Sequence, residues 1–282
     1  MVISVKKIRS FLSGAALHLV YALLCLAALI PILYTLLLSL SGRNAVLSGG
    51  GLFDRIWSLD AYRAILLDEP FLGWLANSLK ISLFTMLLAL SSAVFAAYAF
   101  SRRRFRGRRA LLNMLLILNA FPQMLSMFAL FRLFRELNLI NTHIGLILIY
   151  AGGMCIFAIW NLKGYFDSIP VEIEEAAAID GAGNAAIVLR IVLPLARPAI
   201  IVTAVMVLIS VWNEYLFSTT FMMNVETYTL SGGLYQLQSN DYSRSWPLFT
   251  AAAMLVSLPV LIVFFCVQKY MVSGLTAGGV KG

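Results

Sequence analysis

Six long apolar runs divide this chain, at about residues 16–40, 75–100, 110–134, 143–166, 198–222 and 248–271. A hydrocarbon core of about 30 Å takes roughly 20 helical residues, and every run is long enough. Lipid offers the backbone no hydrogen-bond partners, so a spanning segment satisfies its own groups and is helical. Barrel strands would instead show segments of about ten alternating residues. Only 12% of the 282 residues are charged and 61% are hydrophobic. That leaves too few polar side chains to cover a soluble surface and too many apolar ones for a disordered chain. The expected class is an all-α polytopic membrane protein with six transmembrane helices. A membrane domain over 15–273 is flanked by an N-terminal tail, 1–14, and a C-terminal tail, 274–282. The first run exceeds the 7–15 apolar residues of a signal peptide and no convincing cleavage site follows, so an uncleaved span is expected.

The net charge of +8 is concentrated. Arg102, Arg103, Arg104, Arg106, Arg108 and Arg109 crowd between two apolar runs, and Lys6, Lys7 and Arg9 precede the first. Such placement marks cytoplasmic loops rather than a nucleic-acid surface. Loop 41–74 is mixed, with Arg43, Arg55 and Arg63 against Asp54, Asp60, Asp68 and Glu69; loop 223–247 holds Glu226, Asp241 and Arg244. Both termini and loop 101–109 are therefore expected inside, and the span count, not its charge, puts loop 167–197 inside as well. Cys25, Cys155 and Cys266 lie apart inside apolar runs and have no ligand spacing. No metal site is expected.

Polar residues at membrane depth are costly and face a bundle interior or a pathway. Asn119 and Gln123 flank Pro122, which is expected to kink the third span. Trp212, Asn213, Glu214 and Tyr215 lie in the fifth span, and Glu214 is the one carboxylate well inside an apolar run. Carboxylates, amides and aromatic faces bind sugars. These six residues are the candidate substrate pathway; the alternative for Glu214 is a packing carboxylate hydrogen-bonded within the bundle.

Loop 167–197 is acidic in its first half, through Asp167, Glu172, Glu174, Glu175 and Asp180. Pro170 suits the first helical position, the glutamates suit a helix N-terminus, Ala176 to Ala178 favour helix, and Gly181 can stop it. A short helix over about 170–180 is expected, then a second over 185–191. Apolar Val171, Ala178 and Ile179 beside carboxylates suggest a docking knob for a protein partner.

Glu175-Ala176-Ala177, three residues, Gly181, nine residues, Ile191, one residue, Leu193-Pro194 resembles the EAA loop of ABC importer permeases. The tail from Gly274 through Thr276, Ala277, Gly278, Gly279, Val280 and Lys281 is similar to that of MalG-type permeases of carbohydrate importers. The resemblance implies a type I importer permease fold in the bacterial inner membrane. It implies a homologous second permease (MalF-like), two ATPase subunits (MalK-like) and an extracytoplasmic sugar-binding protein. The coupling residues it implies are Glu175, Ala176, Ala177, Gly181, Ile191, Leu193 and Pro194, with Thr276 to Lys281 reaching the ATPases. The substrate would be an oligosaccharide, maltodextrins first. The chain has no G-x-x-x-x-G-K-[ST] phosphate loop and no catalytic constellation, so it is not expected to be an enzyme, and ATP and Mg would sit on the partners. The runner-up is an ion-coupled secondary sugar transporter, which would need more membrane carboxylates or histidines and inverted repeats.

Reporter fusions at about residue 105 and residue 235 are expected to report opposite sides of the membrane; the same side for both would refute the six-span topology.

Overall fold

The computed structural model describes residues 5–41, 57–239 and 245–277. Arg43, Asp54, Arg55, Asp241, Arg244, Gly278, Gly279, Val280 and Lys281 lie outside the described residues. The described chain is helical apart from one isolated bridge, Ser41 with Trp57. In order the helices are α1 (Val5–Ser39), α2 (Asp60–Leu67), α3 (Phe71–Arg102), α4 (Arg108–Ala120), α5 (Gln123–Glu136) and α6 (His143–Ser168). Then come α7 (Val171–Ile179), α8 (Asn184–Ile187), a π turn (Val188–Val192), α9 (Leu193–Leu195) and α10 (Arg197–Trp212). The chain closes with α11 (Leu216–Phe221), α12 (Leu230–Ser239) and α13 (Trp246–Ala277).

Among the described residues, four helices are long and apolar enough to cross a membrane: Gly14–Ser39 of α1, then α3, α6 and Trp246–Tyr270 of α13. Two bent pairs raise the number to six when each is taken as one span. Arg108–Ala120 meets Met124–Glu136 at 96°, and Asn184–Leu195 meets Arg197–Trp212 at 74°. The third apolar run is thus two helices rather than one kinked helix. Pro122 has no N–H to continue α4 and holds Phe121 in extended backbone, at ψ 131°. The fifth run is also not one helix: α10 stops at Trp212 and α11 begins only at Leu216.

Two compact units emerge. One comprises residues up to Glu69 with Asn240–Leu255; the other Pro70–Ser239 with the remainder of α13. In the first, Ser39 and Tyr62 share a hydroxyl hydrogen bond of 2.7 Å, Ser58 N–H donates to Leu40 O, and Ile65 of α2 is fully buried. None of the most apolar window of α1 is buried.

The second unit is built on α3 packed against α6. Lipid gives helices no hydrophobic reason to associate, so close approach rests on small residues. α3 supplies them as a stripe, Ser78, Ser82, Thr85, Ala89, Ala93 and Ala97, all buried. One apolar cluster joins Ala93 and Ala97 to Ala158, Leu162 and Phe166 of α6 and to Ile187 and Val192. A second joins Ile81, Leu146 and Tyr150 to Val207, Val211, Phe217 and Phe221.

The segment after α11 is strapped onto this pair by polar groups. Trp74 Nε1 donates to Val225 O at 3.0 Å, and Asn77 Nδ2 donates to Glu226 O at 2.8 Å and Tyr228 O at 3.0 Å. Asn141, left-handed at φ 59°, accepts from Met223 N, Asn224 N and the Thr227 hydroxyl. Lys80 Nζ and His143 Nδ1 are 3.0 Å apart, and the other ring nitrogen of His143 faces Thr227 O. Lys80 is thereby held in this network.

Gly233 of α12 lies on the face of Trp74, where a Cβ would run into the indole ring. Trp74 is buried and held by its hydrogen bond, so it cannot yield. Gly233→Ala is expected to cost about 1–3 kcal/mol by overpacking, read as a lower thermal midpoint in detergent. Gly152→Ala, whose Cβ meets open space, should lower nothing.

Candidate functional site

Loop 167–197 folds as the sequence suggests, with two shifts. Pro170 takes the N-cap of α7, one position earlier than expected. The second short helix is α8, continued by the π turn and α9. α7 ends in a two-bond stop: Gly181 N–H donates to Ala178 O at 3.1 Å and Ala182 N–H to Ala177 O at 3.0 Å. This ending needs a left-handed residue after the cap, and Gly181 has φ +87°. A glycine alone adopts that conformation at no steric cost.

The motif residues divide by exposure. Glu175, Ala176 and Gly181 are exposed, Ala177 is half-buried, and Ile179 is 86% exposed. Ile191 and Leu193 are half-buried and Pro194 is exposed. α7 thus presents small and apolar residues beside an exposed carboxylate.

The neighbouring Glu174 has the opposite fate. It is the one buried residue of α7. Its Oε1 accepts from Arg102 Nε at 2.6 Å and its Oε2 from the Tyr98 hydroxyl at 2.8 Å. Arg102 Nη2 donates to Ile169 O at 2.8 Å. Alongside, Asp167 accepts from Ser101 Oγ at 2.6 Å and Lys163 Nζ at 2.5 Å. Sequence reasoning placed Arg102 only among the topology-setting arginines. The available signal was Tyr98 and Arg102 four residues apart, on one face at the end of α3.

The pathway candidates do not come together as one polar cluster. Asn119 is exposed near the end of α4, and Gln123 opens α5 beyond the Pro122 break. Trp212 is buried, its indole N–H without a partner among the described residues. Asn213 is exposed and donates back to Ile209 O at 2.9 Å; Tyr215 is 55% exposed. Glu214 is committed to the chain itself. It accepts from the Tyr150 hydroxyl and from Phe217 N–H at 3.0 Å, with Ser218 N–H at 3.4 Å. Those N–H groups open α11 and have no helical partner. The carboxylate therefore caps the helix that restarts after the break, which is the packing alternative for this residue. Tyr150 had carried no sequence signal.

Three comparisons with known proteins bear on this arrangement. The family described as binding-protein-dependent transport system inner membrane component matches residues 85–276. The galactooligosaccharides transport system permease protein GanQ of Bacillus subtilis (strain 168) is 37% identical, over 98% of each chain. The maltodextrin transport system permease protein MdxG of the same organism is 37% identical, over 90% of this chain and 92% of the relative. Among solved structures, a chain of a bacterial ABC transporter involved in import of the acidic polysaccharide alginate superposes with a TM-score of 0.79. It is 28% identical, with 96% of this chain and 99% of that one covered.

Glu214→Ala removes the acceptor for two helix-opening N–H groups and Tyr150. It is expected to cost about 1–3 kcal/mol, the usual penalty for stranded buried donors, read as a lower thermal midpoint in detergent. Tyr215→Ala should leave the midpoint unchanged.

Proposed function

The chain belongs to the binding-protein-dependent transport system inner membrane component family, and from that premise we propose that it carries oligosaccharides through an ATP-driven importer. Its coarse role follows from family membership: it is a membrane permease of a carbohydrate ABC importer and performs no catalysis itself. The finer reading concerns substrate, partners and coupling. A second, homologous permease, two ATPase subunits and an extracytoplasmic sugar-binding protein complete the machine. ATP and Mg bind on the ATPases, and both termini of this chain face them.

One observation carries the coupling assignment. α7 is stopped by Gly181 and projects exposed Ala176, Ala178 and Ile179 beside Glu175. A solvated linker has no use for an exposed apolar helix with a left-handed stop. A partner cleft does, because small residues permit close approach and a rim carboxylate can pair with a cation. Ile191, Leu193 and Pro194 set the return from this knob into α10. Thr276 and Ala277 close α13 and lead toward the tail, which reaches between the ATPases.

ATP binding draws the ATPases together and moves the coupling helices. A ligand shifts a two-state equilibrium only through different contacts in the two states. α7 is where those differences enter this chain. The breaks at Pro122 and at Asn213–Tyr215 are where the spans depart from rigid rods. Asn213 and Tyr215 are exposed polar groups at the second break, as Asn119 is near the first, and we assign them to the sugar pathway ahead of Glu214.

Maltodextrins and galacto-oligosaccharides are named in the two relatives at equal identity, while the tail favours maltodextrins. In proteoliposomes holding all subunits, binding-protein-dependent uptake of each sugar, with ATP hydrolysis stimulated by it, tests the reading. Uptake driven by an ion gradient without the ATPases would support the secondary-transporter alternative. Gly181→Asp is expected to abolish uptake and weaken ATPase co-purification while membrane levels hold. Glu175→Ala should leave the complex assembled but reduce uptake per ATP hydrolysed. Normal uptake with Gly181→Asp would reduce the loop to a linker.

A further inference from the structure

We propose that Glu174, Arg102 and Tyr98 form a fixed tie that transmits movement of α7 into α3, so that Glu174 and Arg102 are positioning residues for coupling. The proposal rests on the reading of α7 as the ATPase-coupling helix. It assigns the mechanical link to the glutamate before the motif glutamate.

α7 has nine residues. An isolated helix of that length is marginal in water, so its position is set by what holds it. Apolar packing holds little of it. Val171, Ile173 and Ile179 are exposed, and Ala177 is half-buried against the apolar cluster around Phe166. The strong contact is the ion pair of Glu174 with Arg102, each side chain only 10% exposed. Both carboxylate oxygens are occupied, one by the guanidinium and one by Tyr98.

The geometry is directional. Tyr98 and Arg102 lie four residues apart, so two points along α3 grip one carboxylate. Arg102 also donates to the carbonyl of Ile169, one of the two residues between α6 and α7, and thereby holds the connection as well as the helix. Its Nη1 lies 3.4 Å from Ser101 Oγ, which donates to Asp167 of α6, itself bound by Lys163. α3, α6 and α7 are thus joined in one polar chain at one end of the unit. The phenol of Tyr98 stands edge-on to Phe166, at 6.3 Å between ring centroids and 80°, which fixes the aromatic part of the grip.

Hydrogen bonds to an ionised group are shorter and stronger than neutral ones, so a buried carboxylate with both oxygens engaged holds its geometry. A tie of this kind stays closed while the knob moves, and it carries the displacement into the span whose small-residue stripe packs on α6. Glu175, exposed one position later, is left to the partner.

The test uses the assembled transporter in proteoliposomes. Glu174→Ala and Arg102→Ala are each expected to retain co-purified ATPase, because the exposed face of α7 is untouched. Uptake and sugar-stimulated hydrolysis should fall on the order of tenfold, as for loss of a typical coupling free energy. In a background without Cys25, Cys155 and Cys266, Arg102→Cys with Glu174→Cys should be equally defective. Bridging those two cysteines with a short, reducible bifunctional thiol reagent should restore uptake, and reduction should abolish it again. Unchanged uptake in both single variants overturns the tie. So does loss of ATPase association in step with uptake, which would make Glu174 a folding contact of the docking surface. A bridged pair that stays defective overturns it as well, since a contact that must open in the cycle would be frozen. Failure of the coupling reading itself shows in the unsubstituted chain, as no ATPase co-purification.

Discussion

A backbone within lipid has no water to bind, and every departure from helix there has to be repaired by the protein itself. Both interior breaks show how. At Phe121–Pro122 the missing N–H of proline removes one donor that would need a partner, and the preceding residue goes extended. At Asn213–Tyr215 no proline intervenes. Glu214 takes two of the N–H groups at the start of α11, and the amide of Asn213 returns to Ile209 O. Tyr150 reaches across from α6 to the same carboxylate. The carboxylate thus supplies acceptors for N–H groups that the break leaves without helical partners.

The same accounting bears on Ser78 among the small polar residues on the buried face of α3, whereas the buried Thr85 hydroxyl has no hydrogen-bond partner among the described residues. Hydroxyls in a membrane helix can be satisfied by neighbouring backbone without pushing helices apart. Ser78 accepts from Leu230 N–H at 2.8 Å, and Asn77 and Trp74 hold carbonyls of the segment that follows α11. Close packing on α6 and the strapping of that segment are two uses of one helix. Apolar contact supplies the bulk around Phe166 and Phe221, and these polar pairs set the register.

Much of this was legible in the sequence. Run length and composition marked the helical class, Pro170, the glutamates, the alanines and Gly181 marked the short stopped helix, and Pro122 marked a bend. What stayed hidden depends on partners distant in sequence. Glu174 and Glu175 are adjacent acids in the same short helix, and only the placement of Tyr98 and Arg102 sends one inward and leaves the other out. Arg102 reads as a topology charge because five more arginines follow it within seven residues. Glu214 reads as a pathway residue because helix periodicity predicts an unbroken span, whereas its own side chain is what ends that period. Sequence pattern reports local preference; these three roles arise from contacts between segments about 64 to 76 residues apart.

On the coupling role proposed for it, α7 would dock into another protein while remaining fastened to its own, and those two demands conflict. Apolar packing on its home side would compete with the apolar surface it offers the partner, and a short helix has too few residues for both. α7 separates the two chemically. Most of its apolar and small side chains are turned outward, Ala177 rests on the cluster around Phe166, and its polar attachment is one buried carboxylate. Burying an ion pair gives little net stability compared with apolar packing, because desolvation offsets the attraction. What it gives is one permitted geometry, since removing either member strands a charge at roughly 3–5 kcal/mol. Stability for this unit comes from α3 on α6. The charge at Glu174 contributes direction, which is what the proposed lever needs from its anchor.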